Sequence, residues 1–200
     1  MKRVCVFCGS SPGARPEYVR GAAEMGRVMA NDQIGLVYGG SKVGMMGAIA
    51  SAVMEANGNV TGIIPEWLVK KEVAYQGITD LRVVDSMHER KALMAELSDG
   101  FIALPGGFGT IEEFFEVLTW SQLGIHKKPC GLLNISHYFD SAIGFIDHAV
   151  AEEFISSGSR SLVLIDDDPV LLLKKFQEYR PHTVDKAAWA LQLTGRSLKT

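Results

Sequence analysis

The chain has no run of basic residues, and its 20 Lys and Arg are outnumbered by 23 Asp and Glu, for a formal net charge of −3. A partner held by phosphate neutralisation, such as a nucleic acid, is therefore not expected. No apolar stretch is long enough to span a bilayer. The apolar run near the N-terminus is too short for a signal segment and leads straight into Gly9-Ser10-Ser11-Pro12-Gly13, so neither a membrane partner nor secretion is expected. There are only three cysteines, Cys5, Cys8 and Cys130, all in apolar contexts. An odd count of this kind excludes a disulfide framework and points to a reducing cytoplasm. Cys5 and Cys8 have C-x-x-C spacing, but an odd offset on a strand sends them to opposite faces, which argues against a redox or metal pair. The five histidines, at 88, 126, 137, 148 and 182, lack ligand spacing with one another, so no metal site and no His-based triad is expected. No G-x-G-x-x-G follows the first strand, and no Walker lysine follows any glycine loop, which disfavours a dinucleotide or a triphosphate. Internal repeats and low-complexity segments are also missing.

What is present suits one domain with a full core: 200 residues, 47% of them hydrophobic. Short, continuously apolar runs alternate with helical patterns. Strands are expected over 4–8, 35–38, 60–64, 81–85, 100–104, 129–133 and 162–165. Helices are expected over about 16–31, 44–57, 87–97, 110–123, 139–154 and 169–179, with one long irregular connection over 65–80. Buried strands separated by helices give an α/β fold with a doubly wound parallel sheet. The domain is placed at residues 1–180, with 181–200 as a loosely ordered C-terminal tail. In the helix over 110–123, Phe114, Phe115, Val117, Leu118, Trp120 and Leu123 are apolar almost all round. A sheet covers only one face, so the other is expected to be buried in a homodimer.

Open parallel sheets bind ligands beyond the carboxyl ends of their strands. Three glycine-rich strand ends qualify: Gly9-Ser10-Ser11, Gly39-Gly40-Ser41 and Pro105-Gly106-Gly107. The third is the most informative. An apolar strand runs into Gly106, Gly107 and Gly109 and then into a helix, so bare backbone N–H groups can approach an anion at the positive end of that helix. Thr110 adds a hydroxyl there. Glu112, Glu113 and Glu116 follow at once, and a pure phosphate cradle has no need of them.

The preceding helix carries a second clue. Ser86 with Glu89 makes a capping-box pattern. The apolar stripe should run through Met87, position 90, Met94 and Leu97. Position 90 is Arg90, a charge on the face that should be buried. It also lies near a helix N-terminus, where a cation is disfavoured by roughly 0.3–1 kcal/mol. An anion facing Arg90 would account for both costs. Lys91 lies beside it.

Met87-His88-Glu89-Arg90-Lys91 followed by Pro105-Gly106-Gly107-Phe108-Gly109-Thr110-Ile111-Glu112-Glu113 resembles the paired signature of the LOG ("Lonely guy") family. These are cytokinin riboside 5′-monophosphate phosphoribohydrolases, also labelled lysine decarboxylase-like. The resemblance runs from Val4 to about Leu173 and includes Cys8-Gly9-Ser10-Ser11, Tyr38-Gly39-Gly40, Gly44-Met45-Met46-Gly47, Trp120-Ser121-Gln122-Leu123-Gly124 and Lys128-Pro129. Ser41-Lys42 departs from it, in a stretch often richer in glycine. The resemblance implies a Rossmann-like fold, a homodimer, no cofactor, and cleavage of the N-glycosidic bond of a purine nucleoside monophosphate to free base and ribose 5-phosphate. It places the catalytic pair on Arg90 and Glu113. The other substrate contacts fall on Glu72, Lys91, Gly106, Gly107, Phe108, Gly109, Thr110, Ile111, Glu112 and Thr119.

The residues fit that chemistry independently. Breaking C1′–N9 builds positive charge on the ribose, and a carboxylate near C1′ can stabilise it and activate water. Glu113 lies one turn past the phosphate loop. Arg90 could bind the phosphate or hold Glu113 ionised and aimed. Two rivals stand beside this reading. The same loop could hold a nucleotide or a molybdopterin-type phosphate without turnover, with Glu113 doing no more than closing a Thr110–Glu113 capping box. A decarboxylase would need a Schiff-base lysine and a partner for a pyridine nitrogen, and nothing marks either.

Overall fold

The computed structural model describes residues 1–71, 73–181 and 186–197. Seven strands, β1 (Arg3–Phe7), β2 (Gly35–Tyr38), β3 (Val60–Pro65), β4 (Asp80–Val84), β5 (Phe101–Ala103), β6 (Cys130–Leu133) and β7 (Val163–Asp166), form one sheet in the order β4-β3-β2-β1-β5-β6-β7. Every pairing is parallel. The helices are α1 (Pro16–Asn31), α2 (Gly44–Glu55), α3 (Glu66–Val69), α4 (Met87–Glu96), α5 (Phe108–Gln122), α6 (Asp140–Ala151), α7 (Ser157–Arg160), α8 (Pro169–Glu178) and α9 (Lys186–Ser197). The Rossmann-like, doubly wound architecture is the one the apolar strand pattern implied.

Two core layers sandwich the sheet. One face packs Val4, Val6, Leu36 and Ile102 against α1, α2 and α8; the other packs Cys5, Phe7, Val37 and Phe101 against α4, α5 and α6. Each strand feeds both layers because successive side chains alternate. Cys5 and Cys8 accordingly fall in different layers, and all three cysteines are buried and free. No helix among the described residues is long and apolar enough to cross a membrane.

The chain winds outward from β1 to β4 and then crosses back to place β5 beside β1. The strand order reverses between β1 and β5, which opens a crevice at their carboxyl ends. The three glycine-rich loops follow β2, β1 and β5, three adjacent strands, so they meet at this crevice.

The differences from the sequence reading are local. The connection over 65–80 contains the single-turn helix α3 and a bridge between Ser41 and Ala74. A 3-10 turn at Ile135–His137 and the short α7 were also not anticipated, because single turns carry no periodicity. Helix α5 begins at Phe108, two residues earlier than expected, with Gly107 as its N-cap. The expected tail carries α9; residues 182–185 and 198–200 of it lie outside the described residues.

Candidate active site

A cavity of about 540 Å³ opens over the carboxyl ends of β1, β2 and β5. Glycine makes it possible. A Cβ on Gly106 would stand 2.1 Å from Thr110 Oγ1 and 2.8 Å from Gly9 N, so the loops after β1 and β5 close together only as glycine backbone. On the cavity side the reverse holds: a Cβ on Gly107 or Gly109 would meet nothing within 4 Å.

The first backbone acceptor inside α5 is the Gly107 carbonyl, which receives Ile111 N–H at 3.1 Å. The N–H groups of Phe108, Gly109 and Thr110 precede that bond and have no carbonyl one turn back. Gly107 offers no side chain to cap them. A helix start so arranged is a ready-made anion site. The Thr110–Glu113 capping box is therefore not formed: Thr110 lies inside the first turn, and Glu113 bonds elsewhere.

Its partner is Arg90. Helix α4 is started by Ser86, whose hydroxyl accepts Glu89 N–H at 3.1 Å; the Glu89 carboxylate accepts Asp85 N–H at 3.0 Å. From there Arg90 points inward and is 8% exposed. Its Nε donates to the Ile63 carbonyl of β3 at 3.1 Å, and its Nη1 donates to Glu113 Oε1 at 2.7 Å. A Cβ on Gly39 would stand 2.2 Å from Arg90 Nη2, so the glycine after β2 makes room for the guanidinium. Glu113 is 7% exposed. Burial pushes its carboxyl above the ordinary glutamate range, and the nearby Arg90 guanidinium offsets this only in part. The site thus holds a buried carboxyl with a raised pKa, fixed by an arginine, beside an uncapped helix start.

Lys91 goes the other way. Its Nζ donates to Glu112 Oε1 at 2.7 Å and Glu116 Oε1 at 3.0 Å. Partial burial lowers its pKa, but the two carboxylates outweigh that and raise it overall. All three glutamates of α5 are thereby paired with the adjacent cations of α4.

Of the residues singled out in the sequence, the cavity brings together Arg90, Gly107, Phe108, Gly109, Thr110, Glu112 and Glu113. Phe108 stands at its rim, 98% exposed. Gly106 lies behind the loop, and Ile111 packs partly buried against the core. Thr119 lines a second cavity of about 240 Å³ with Phe115, Gln122 and Phe154, and its hydroxyl donates to the Phe115 carbonyl at 2.7 Å. Glu72 lies outside the described residues. The sequence reading missed the apolar wall formed by Met46, Ile64, Leu68, Val73 and Met87, because apolar residues near strand ends read as core. The one available signal was position: Ile64 lies near the end of β3, Leu68 and Val73 lie in the connection after it, and Met46 and Met87 lie in the first turns of α2 and α4.

A family model described as "Possible lysine decarboxylase" matches residues 46–176. The cytokinin riboside 5′-monophosphate phosphoribohydrolase of Rhodococcoides fascians is 52% identical over 168 residues, which cover 84% of this chain and 85% of that one. Cytokinin riboside 5′-monophosphate phosphoribohydrolase LOG3 of Arabidopsis thaliana is 45% identical over 199 residues, 98% of this chain and 93% of that one. Among solved structures, the molybdenum cofactor binding protein of Rippkaea orientalis superposes with a TM-score of 0.66 at 22% identity, covering 89% of this chain and 97% of that one, a likeness of fold alone. With identities of this size over nearly its full length, the chain belongs to the LOG family of cytokinin riboside 5′-monophosphate phosphoribohydrolases.

Proposed function

We propose that the protein hydrolyses the N-glycosidic bond of adenine or N6-substituted adenine nucleoside 5′-monophosphates, releasing the free, cytokinin-type base and ribose 5-phosphate. The observation that carries this reading is the buried Arg90–Glu113 pair beside the uncapped start of α5. The helix start holds the 5′-phosphate through the N–H groups of Gly107, Phe108, Gly109 and Thr110. The ribose then extends across the cavity toward Glu113. As C1′–N9 breaks, positive charge grows on the ribose ring, and the Glu113 carboxylate stabilises it and accepts a proton from the attacking water, while the departing base keeps the bonding electron pair and takes up a proton from solvent. Arg90 keeps that carboxylate aimed.

In a carrier of the same fold the buried pair would serve structure alone. A Schiff-base decarboxylase needs a free amine facing its substrate, and among the described residues no lysine lines the cavity; Lys91 is held by two glutamates. Incubation with AMP, N6-substituted AMP and adenosine, with chromatography of the products, tests the proposal. Base should be released from the monophosphates without added metal, and adenosine should be a poor substrate because the helix start would face no anion. Equal rates on AMP and adenosine would contradict the phosphate anchor.

The assembly proposed is a homodimer. Phe114 and Val117 of α5 are buried against the sheet, but Phe115 and Leu118 line the second cavity beside the exposed Phe154, and Leu123 at the end of the helix is exposed. A second copy is the occupant proposed for this face, and Thr119, being part of it, depends on that assembly for any contact with substrate. A monomeric mass in light scattering at micromolar concentration would refute the dimer. The three buried free thiols suit a reducing cytoplasm.

A further inference from the structure

The loop after β5 is held from behind by a residue that belongs to neither signature motif. Tyr138 Oη donates to the Gly106 carbonyl at 2.6 Å. The neighbouring carbonyl, that of Pro105, accepts Gly9 N–H at 3.0 Å. Both carbonyls that precede the anion-binding N–H groups are thus engaged away from the cavity.

Tyr138 is brought there by an unusual piece of backbone. Ser136 and His137 both have positive φ, 51° and 63°, although neither is glycine. Such conformations persist where the surroundings impose them. The surroundings are specific. The Asn134 side chain accepts Phe139 N–H at 2.7 Å and donates to Asp140 at 2.7 Å, which closes the turn. The Tyr138 ring meets Tyr18 of α1 edge-on at 5.6 Å and Phe139 at 5.0 Å. Tyr18 in turn packs against Gly13, where a Cβ would stand 2.6 Å from its ring. The loop after β5 and the first turn of α1 thus both meet this tyrosine, which itself lies in the loop after β6.

We propose that Tyr138 is a positioning residue for the phosphate group of the substrate: its hydroxyl locks the Gly106–Gly107 peptide so that Gly107 N–H faces the anion. The inference rests on the reading of the α5 start as the phosphate site. A trans peptide points its C=O and N–H in opposite directions. With the Gly106 carbonyl drawn to Tyr138, the Gly107 N–H is sent to the side on which Gly107 borders the cavity. A peptide flanked by two glycines meets little steric resistance to flipping. The flipped form would turn a carbonyl toward the phosphate and repel it. Tyr138 selects against that form.

Tyr138→Phe in the full chain tests this, because it keeps the ring and its contacts with Tyr18 and Phe139 and deletes only the donor. Ribose 5-phosphate binding by calorimetry should weaken roughly three- to tenfold, the scale of one hydrogen bond. KM for AMP should rise by a similar factor while kcat changes by less than about twofold, and the slow rate on adenosine should not change. A merely structural role would lower AMP and adenosine turnover together. That result, unchanged ribose 5-phosphate affinity in a folded variant, or loss of the fold in Tyr138→Phe would each overturn the proposal. Binding that depends on Tyr138 in a protein that releases no base would uphold it while refuting the catalytic reading. No binding of ribose 5-phosphate by the unaltered protein would remove the anion site and this proposal together.

Discussion

Arg90 and Lys91 are adjacent on α4, and Glu112 and Glu113 are adjacent on α5, yet the two ion pairs they form differ in kind. Arg90–Glu113 lies at the cavity floor with both side chains about nine-tenths buried, and Arg90 is further tied to the β3 backbone. Lys91, whose side chain is 13% exposed, meets Glu112 and Glu116, which are 57% and 28% exposed. The charges are alike and the distances similar. Burial of the carboxylate separates them. A pair whose carboxylates stay in contact with solvent is screened and contributes little. A buried pair costs desolvation and shifts the protonation of its carboxyl. In this protein both members of the desolvated pair line the cavity at the uncapped start of α5.

Three changes probe that contrast. Arg90→Ala should have the largest effect. It leaves the Glu113 carboxylate buried without its partner, so base release should fall at least about 100-fold and stability by about 3 kcal/mol, measured by turnover and denaturant titration. A variant with normal turnover would show that the arginine is not needed to aim Glu113.

The effect of pH should be intermediate. Burial raises the Glu113 pKa, so folding favours its protonated form. The stability contributed by that form is fully present below the ordinary glutamate value and is lost as pH rises through the raised value. The carboxylate that the proposed mechanism uses appears over the same window. Base release should therefore climb with pH through an inflection above the ordinary value of about 4.3, while stability declines across that interval. An inflection at or below the ordinary value would contradict the burial argument.

Lys91→Ala should have the smallest effect: about tenfold or less in turnover, and less than about 1 kcal/mol in stability because both partner carboxylates keep more contact with solvent than Glu113 does. A loss as large as that of Arg90→Ala would erase the contrast between the pairs.

The strands were legible because a sheet buried on both faces leaves continuous apolar runs, and α1 begins and ends where Pro16 and the polar turn after Asn31 place it. Arg90 was legible as a charge on an apolar stripe, and the structure does bury it beside Met94. Its partner was legible only as one of two alternatives, the phosphate or Glu113, because α4 and α5 are brought together only by the crossover from β4 to β5; the structure forms the Arg90–Glu113 pair. The start of α5 was misjudged because Thr110 and Glu113 mimic a capping box, whereas Gly107 takes the cap and leaves the N–H groups free. Tyr138 was invisible for a different reason: its reach depends on left-handed backbone at Ser136 and His137, residue types that do not advertise it.

The most direct test compares two neighbours given the same chemical change. Glu113→Gln and Glu112→Gln each remove one carboxylate from the same turn of α5 and keep nearly the same shape. Base release from AMP or N6-substituted AMP, measured beside the melting temperature of each, should fall at least about 100-fold for Glu113→Gln and only a few-fold for Glu112→Gln, with both proteins folded. A folded Glu113→Gln variant that keeps nearly full activity, or equal losses in the two, would contradict the assignment of the chemistry to the buried pair.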